Sequence, residues 1–243
     1  MQGLSKGRYR VRMARTTDDL AAAQGLRHWC FFGLEGCDSD PFDELCQHYL
    51  IEEADTARLV GCFRVMPLAN GGEIGRSYSA QFYDLAALAG FAAPLAEVGR
   101  FCMLAGNDDS DLLRLAWAAL TRYVDENAVE MLFGCSSFAG IDPQEYTDSF
   151  CQLRAHHLAP VRYAPAIKAV EVLRFAQLPA GVADSRRALR LMPSLLRSYL
   201  AMGGWVSDHA VIDRGMNTMH VFTGLEVDAI PEGRKRLLRA DAV

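Results

Sequence analysis

A chain of 243 residues, 51% of them hydrophobic, is long enough to bury the core of one large α/β domain. A formal charge of −5 argues against a general nucleic-acid binder, and no run of about 18 apolar residues offers a membrane span. "MQGLSKGRYRVR" lacks the apolar stretch of a secretory signal, and seven cysteines without a C-x-x-C pair read as reduced, mostly buried thiols of a cytoplasmic protein.

"YRVRMA" (9–14) alternates and predicts a strand. Thr17 or Asp18 then caps a predicted helix that carries Leu20, Ala23, Leu26, Cys30 and Phe31. "GLEGCDSDPFDE" is a polar loop. "QHYLIEEA" and "RLVGCFRVMPL" read as strands that turn near "EADTA". "YSAQFYDLAALAGF" looks helical and ends at a glycine, and "AEVGRFCML" is the next strand. "NDDSDLLRLAWAALTRYVDE" is a helix with Leu112, Ala116, Leu120 and Val124 on one face. "VEMLFGCSSF" is a strand, and "DPQEYTDSFCQLRAHHL" opens a helix with proline in its first turn. The tail adds "RALRLMPSLLRSYLAMGG", helical and broken or started at Pro193, then the strands "WVSDHAVID" and "TMHVFTGLEV". This order predicts a single α/β domain over 1–243, with a basic helical insertion or extension at 151–204. "LPAGVADSRR" is its candidate mobile connector.

The strand "AEVGRFCML" holds two charges, Glu97 and Arg100. Regular alternation would send them to opposite faces. A β-bulge near Val98–Gly99 would bring them to one side. Arg64 in "GCFRVMPL" and Arg27 on the first helix are similar intruders among apolar neighbours. Two readings stay open: a polar cluster in a cleft, or a structural ion-pair network. Other signals are weaker. Ser136 and Ser137 lack the G-x-S-x-G context, and His156, His157 and Cys151 lack zinc spacing, so no metal site is expected. Asp208, His209 and Asp213 resemble part of a triad without a serine, His48 opens a strand or lines the cleft, and Trp117 and Trp205 read as core aromatics.

The blocks "AAAQGLRHWCF", "DSDPFDELCQHYLIEE", "LVGCFRVMPL", "SYSAQFYDL", "AEVGRFC", "MLFGCSSFAGIDP" and "LLRSYLAMGGWVSDHAVID" follow one another in a specific order over 9–225. In this the chain resembles the ornithine–acyl-ACP N-acyltransferases of ornithine-lipid synthesis and, more distantly, the acyl-homoserine-lactone synthases. The resemblance implies a GNAT-like α/β fold, with a mixed central sheet flanked by helices and a C-terminal helical and two-strand extension. It also implies transfer of a 3-hydroxyacyl chain from acyl carrier protein to an α-amine, giving lyso-ornithine lipid. Position by position, it places the first-helix Arg and its aromatic on Arg27 and Phe31, and the paired loop acids on Asp40 and Asp43. The central-strand Arg falls on Arg64, and the E-x-x-R on Glu97 and Arg100. Two departures stand out. "GLEGCDSD" lacks the tryptophan of the lactone synthases, which favours the lipid branch, and "MLAGNDDSD" has no basic or aromatic residue after its strand.

A thioester needs no covalent enzyme intermediate; the protein must deprotonate an ammonium, align the amine and stabilise an oxyanion. Under this reading Glu97 is the base, directly or through water. Arg27, Arg64 and Arg100 bind a carboxylate or order Glu97, while Asp40 and Asp43 hold a cationic side chain or pair with those arginines. The only donor expected is the phosphopantetheine thioester of acyl carrier protein, with no other cofactor. Asp108, Asp109 and Asp111 at the helix start "GNDDSDLL" would repel the pyrophosphate of coenzyme A. Charge is uneven: residues 1–150 hold 12 Lys/Arg against 22 Asp/Glu, and 151–200 hold 8 against 2. That basic stretch offers acidic carrier protein Arg154, Arg162, Lys168, Arg174, Arg186, Arg187 and Arg190, unless it is simply a solvated face. Anionic lipid headgroups at the inner membrane face could share it, helped by the helix Leu189–Leu200. Glutamine, lysine or homoserine are alternative acceptors, and a non-catalytic carrier- or lipid-binding module is the alternative of a different class.

Overall fold

The structure, a computed structural model, describes residues 3–104, 110–181 and 184–242. In chain order its elements are β1 (Leu4–Lys6), β2 (Tyr9–Met13), α1 (Thr17–Phe32), β3 (Gln47–Glu53), β4 (Leu59–Leu68), β5 (Tyr83–Asp84), β6 (Leu95–Met103) and α2 (Ser110–Glu126). There follow β7 (Met131–Ala139), α3 (Thr147–His156), β8 (Ala166–Ile167), β9 (Val172–Arg174), α4 (Ser185–Leu191) and α5 (Ser194–Ala201). The chain closes with β10 (Trp205–Val206), β11 (His209–Asp213), β12 (Thr218–Glu226) and α6 (Glu232–Asp241). These fall into two compact units, one of Met1–Pro67, Ala96–Val129 and Glu232–Val243, the other of Leu68–Leu95 and Glu130–Pro231.

In the first unit the strands lie in the order β1-β2-β3-β4-β6. Alternation sorts the side chains onto two faces. Leu50 stands opposite Cys62, while their neighbours Tyr49 and Phe63 stack on the reverse face at 4.8 Å. α1 covers the first face with Ala23, Leu26, Cys30 and Phe31, which pack on Leu50, Cys62 and Cys102. α2 covers the second, where burial and the nearby Tyr123 raise the Tyr49 hydroxyl above its ordinary value. α6 packs on α2 through the pair Arg239–Asp125. The helix start differs by one residue from the sequence expectation. Thr16 is the N-cap: its hydroxyl accepts from the Asp19 amide at 3.1 Å while Asp19 accepts from the Thr16 amide. This reciprocal box leaves Thr17 inside the helix, and Gly33 at φ 69° ends it.

In the second unit the order is β7-β12-β11-β9, with β10 also on β12. β12 runs antiparallel to β7 from Thr218↔Ala139 to Glu226↔Met131. One face buries Phe138, Met219 and Val221 against Phe150 and Leu153 of α3 and Leu196 of α5. The C-terminal helices and strands expected from the sequence are present, but three expectations needed correction. "YSAQFYDLAALAGF" is not one helix: turns at Ser79–Gln81 and Ala86–Leu88 flank β5, which pairs with β8. The buried Tyr83 hydroxyl donates to the His220 carbonyl at 2.9 Å, so tertiary anchoring overrides the helical pattern. α3 starts at Thr147 rather than Pro143, whose carbonyl closes the preceding turn on the Tyr146 amide. "WVSDHAVID" is split at Ser207, whose hydroxyl donates to the His209 carbonyl and accepts from the Phe222 amide. Pro193 does divide the tail helix, into α4 and α5. Of the expected connector, Val182 and Ala183 lie outside the described residues.

Candidate active site

β6 settles the question its two charges raise. The Leu104 amide bonds the Val60 carbonyl, and Cys102 Sγ lies 3.5 Å from Cys62 Sγ. Numbers rise on β4 as they fall on β6, so the two strands are antiparallel and Arg64 meets the Gly99–Arg100 step. A Cβ on Gly99 would point at Arg64, 3.8 Å from Nε. Arg100 adopts φ 51° and also reaches that face, pairing with Asp38 and Asp40. Phe101 is on the other side, stacked on Phe63 at 5.9 Å. Two consecutive residues thus share a face, which defines a bulge at Gly99–Arg100, one residue beyond the sequence expectation. Alternation before it puts Glu97 with Gly99 on the same side as Arg100. Consistently, the half-buried Cys46 thiol feels both the Arg64 charge and the Glu97 carboxylate.

That face carries an interlocked set of charges. Arg27 grips both oxygens of Asp43 at 2.8 and 2.9 Å, and its Nε donates to Asp38 at 2.8 Å. Arg64 grips both oxygens of Asp40 at 2.6 and 2.9 Å and also meets Asp43. Arg100 Nη2 donates to Asp40 at 2.9 Å. Its Nε lies 3.0 Å from Asp38 without an aligned N–H, so that contact is ionic rather than hydrogen-bonded. Gln24 adds a bond to Asp43 at 2.9 Å. His48, directly opposite Arg64 on β3, has Nε2 2.9 Å from the Asp43 carbonyl. Phe31 lies 5.9 Å under the Arg100 guanidinium.

Burial alone would raise the Asp43 carboxyl, but hydrogen bonds from Arg27 and Gln24 and the Arg27 charge outweigh it and hold it below the usual carboxylate range. The same balance, set by Arg64 and Arg100, holds Asp40 low. Burial lowers His48, so its Nε2 donates to the Asp43 carbonyl as a neutral imidazole. Burial pushes the Cys46 thiol up to about 12. The network therefore sets three arginines against three aspartates. It is most open at one edge: the side chains of Arg100 and Asp40 are 13% and 16% accessible, against 1% for Arg27 and 3% for Asp43.

Every residue expected on this face is there: Arg27, Phe31, Asp40, Asp43, Arg64, Glu97 and Arg100. Asp40 and Asp43 pair with the arginines, one of the two roles the sequence left open. Asp38 was missed. Its place two residues before Asp40 in the same "DSDPFD" loop was the available signal. The basic stretch divides differently. Arg186, Arg187 and Arg190 are exposed on α4, whereas Arg154 is turned inward and donates to the carbonyls of Phe175, Leu178 and Pro179. Leu196 and Leu200 of α5 pack into the core, so the leucines expected at a lipid surface are largely internal; Leu189 is 50% exposed. Of the acids at the α2 start, Asp108 and Asp109 lie outside the described residues. Among the described residues, no group of His, Cys, Asp or Glu is arranged to hold a metal ion, and no helix is long and apolar enough to cross a membrane.

The family model for the acetyltransferase (GNAT) domain matches residues 30–118, the stretch from the end of α1 into α2 that contains the bulged strand. The protein is an acyltransferase with a GNAT-like fold. An L-ornithine N(alpha)-acyltransferase from Rhodobacter capsulatus is 32% identical over 240 residues, covering 92% of each chain. The chain belongs to the L-ornithine N(alpha)-acyltransferase family. A second member, from Rhizobium meliloti, is 28% identical over 252 residues, covering 96% of this chain and 84% of the relative. Among solved structures, the AHL synthase LasI aligns with a TM-score of 0.40 at 20% identity, over 69% of this chain and 81% of that one.

Proposed function

We propose that the protein, acting as one domain over 1–243, moves a 3-hydroxyacyl chain from acyl carrier protein to the α-amino group of L-ornithine and releases lyso-ornithine lipid. The observation that carries this reading is the bulge at Gly99–Arg100, which turns Glu97 and Arg100 to the face of the Asp/Arg network in a member of the ornithine acyltransferase family. Glu97 takes a proton from the ornithine ammonium. The freed amine attacks the thioester carbonyl, the C–N bond forms, the C–S bond breaks, and the carrier thiolate is protonated as it leaves. The bulged strand leaves backbone N–H groups outside the ladder, which supply the oxyanion contact.

The acceptor reaches the open edge of the network. Arg100, over Phe31, takes the ornithine carboxylate, and Asp40 takes the side-chain ammonium. Arg27, Asp43 and Arg64 lie deeper and hold those two in place. Acyl carrier protein docks on Arg186, Arg187 and Arg190 of α4, while Arg154 braces the segment behind them. The purified protein, loaded carrier and a panel of amino acids, read by release of carrier thiol, test the whole scheme. Ornithine is expected to drive release over glutamine, lysine and homoserine. Equal release with all four would overturn the acceptor assignment, and release with acyl-coenzyme A alone would overturn the donor assignment.

A further inference from the structure

From Ser185 to Ser207 the chain has no Asp or Glu, yet it carries Arg186, Arg187 and Arg190 on α4 and Arg197 on α5. α4 is firmly seated. The Asp184 carboxylate caps it by accepting from the Arg186 and Arg187 amides, each at 2.9 Å. The buried Ser149 hydroxyl of α3 donates to the Ala188 carbonyl at 2.8 Å. Ala188, Leu191 and Met192 turn inward, as do Leu196 and Leu200 of α5. Leu189 does not, and stands half in solvent.

The four arginines are not equivalent. Arg187 turns back on its surroundings: Nη2 donates to the Glu145 carbonyl at 3.2 Å, and Nη1 lies 4.0 Å from Asp148. Arg186 and Arg190, one turn apart, share an exposed helix face with Leu189. Arg197 closes the rim from α5: it is exposed, and its Nη1 donates to the Leu189 carbonyl at 3.3 Å. Among the described residues, Arg187 is the one of the four that meets a carboxylate. An apolar side chain is thus bordered by Arg186, Arg190 and Arg197, whose charges the described residues leave unneutralised.

We propose that Arg186, Leu189, Arg190 and Arg197 form one docking surface, in which Leu189 enters an apolar spot on the acyl carrier protein and the three arginines meet carboxylates around it. This rests on the carrier being the donor, as in the proposed function. Binding energy at such surfaces concentrates on a central side chain that sheds its water, while charged neighbours steer the approach and select the partner. A helix already capped and seated loses little freedom when it is used. Leu189 and Arg197 therefore belong to the contact, and Arg187, held by Asp148 and Glu145, contributes least of the α4 arginines. An anionic bilayer is the poorer match. Interfacial helices bury a broad apolar face, and here Leu189 is exposed while Leu191, Leu196 and Leu200 pack into the core. A folded acidic partner needs one anchor and a matching rim.

Binding of the full-length protein to carrier bearing its phosphopantetheine arm is followed by titration calorimetry at low ionic strength, alongside the carrier KM in acyl transfer to ornithine. Leu189→Ser and Arg197→Ala should each raise Kd and KM by about tenfold or more. Leu189→Met and Arg197→Lys should recover most of that loss, and Arg187→Ala should cost less than either truncation. Melting temperatures check folding, which Leu189→Ser should leave intact because its side chain lies outside the core. Leu189→Ser binding as the wild type does, or an Arg187→Ala loss as large as that of Arg197→Ala, overturns the surface. So does a loss of binding to vesicles of phosphatidylglycerol and phosphatidylcholine with carrier affinity intact. Wild-type protein that binds carrier through these residues but transfers nothing to ornithine overturns the proposed function and leaves the surface standing. Transfer with a carrier affinity indifferent to all four changes does the reverse.

Discussion

Arg100 shows how one backbone angle sets up a site. A non-glycine residue at φ 51° costs on the order of 1 kcal/mol, and the Asp38 and Asp40 contacts hold it there. Gly99 is the smaller partner in the bulge: an added Cβ would make only ordinary contact with Arg64 at 3.8 Å. Gly99→Ala is therefore expected to fold and retain activity, whereas Arg100→Gly relieves the strain but loses the ion pairs; acyl-transfer rates and melting temperatures of the two variants check this. Glu97→Gln keeps the shape and removes the base. It should lower kcat by about 10²–10⁴-fold with little change in carrier KM; an equal loss of carrier affinity would argue against the role. Cys30, Cys62 and Cys102 were legible only as small hydrophobes, because no spacing in the chain announces that an α-helix and two strands bring them to one point.

At the scale of elements, the "DSDPFD" loop is clamped to α1, β4 and β6 by its three aspartates. Removing one partner of a buried pair strands the other, so Asp43→Ala should cost about 3–5 kcal/mol in urea or thermal unfolding. Asp38 bridges Arg27 and Arg100, and Asp38→Asn should raise the ornithine KM more than it lowers kcat, since it loosens the open edge of the pocket and leaves Glu97 in place. The pH dependence follows from the depressed carboxyls. Their stabilisation is complete above the unfolded value of about 3.9 and is lost as pH falls through their lower folded values. Asp40→Asn should therefore lose less stability than the wild type as pH falls below about 4, when unfolding is followed by circular dichroism. The longer strands were readable as apolar runs bounded by turn residues, since they are buried on both faces, and α2 by its helical period. "YSAQFYDLAALAGF" was not, since its helical spacing yields to the Tyr83–His220 contact and the β5–β8 pairing.

At the scale of the whole molecule, charge separates by sequence region: acidic over 1–150, basic over 151–200. If the exposed arginines of α4 receive an acidic carrier, apparent carrier KM should rise with ionic strength. Reversing Arg186, Arg187 and Arg190 to Glu should abolish that salt dependence while leaving the ornithine KM unchanged. Arg154 would be a poor choice for the same test, because its loss strips donors from three carbonyls and so reads as instability.

By itself the sequence determined the α/β class, the acyltransferase family and the presence of charge in strands that should have been apolar. Periodicity and motif order are local properties, written along the chain. Only the tertiary structure decided that the bulge falls at Gly99–Arg100, that Asp38 completes the ion network and that Arg154 faces inward. Each of those depends on which side chains meet across strands far apart in sequence, and the energy of such meetings is not encoded at any one position.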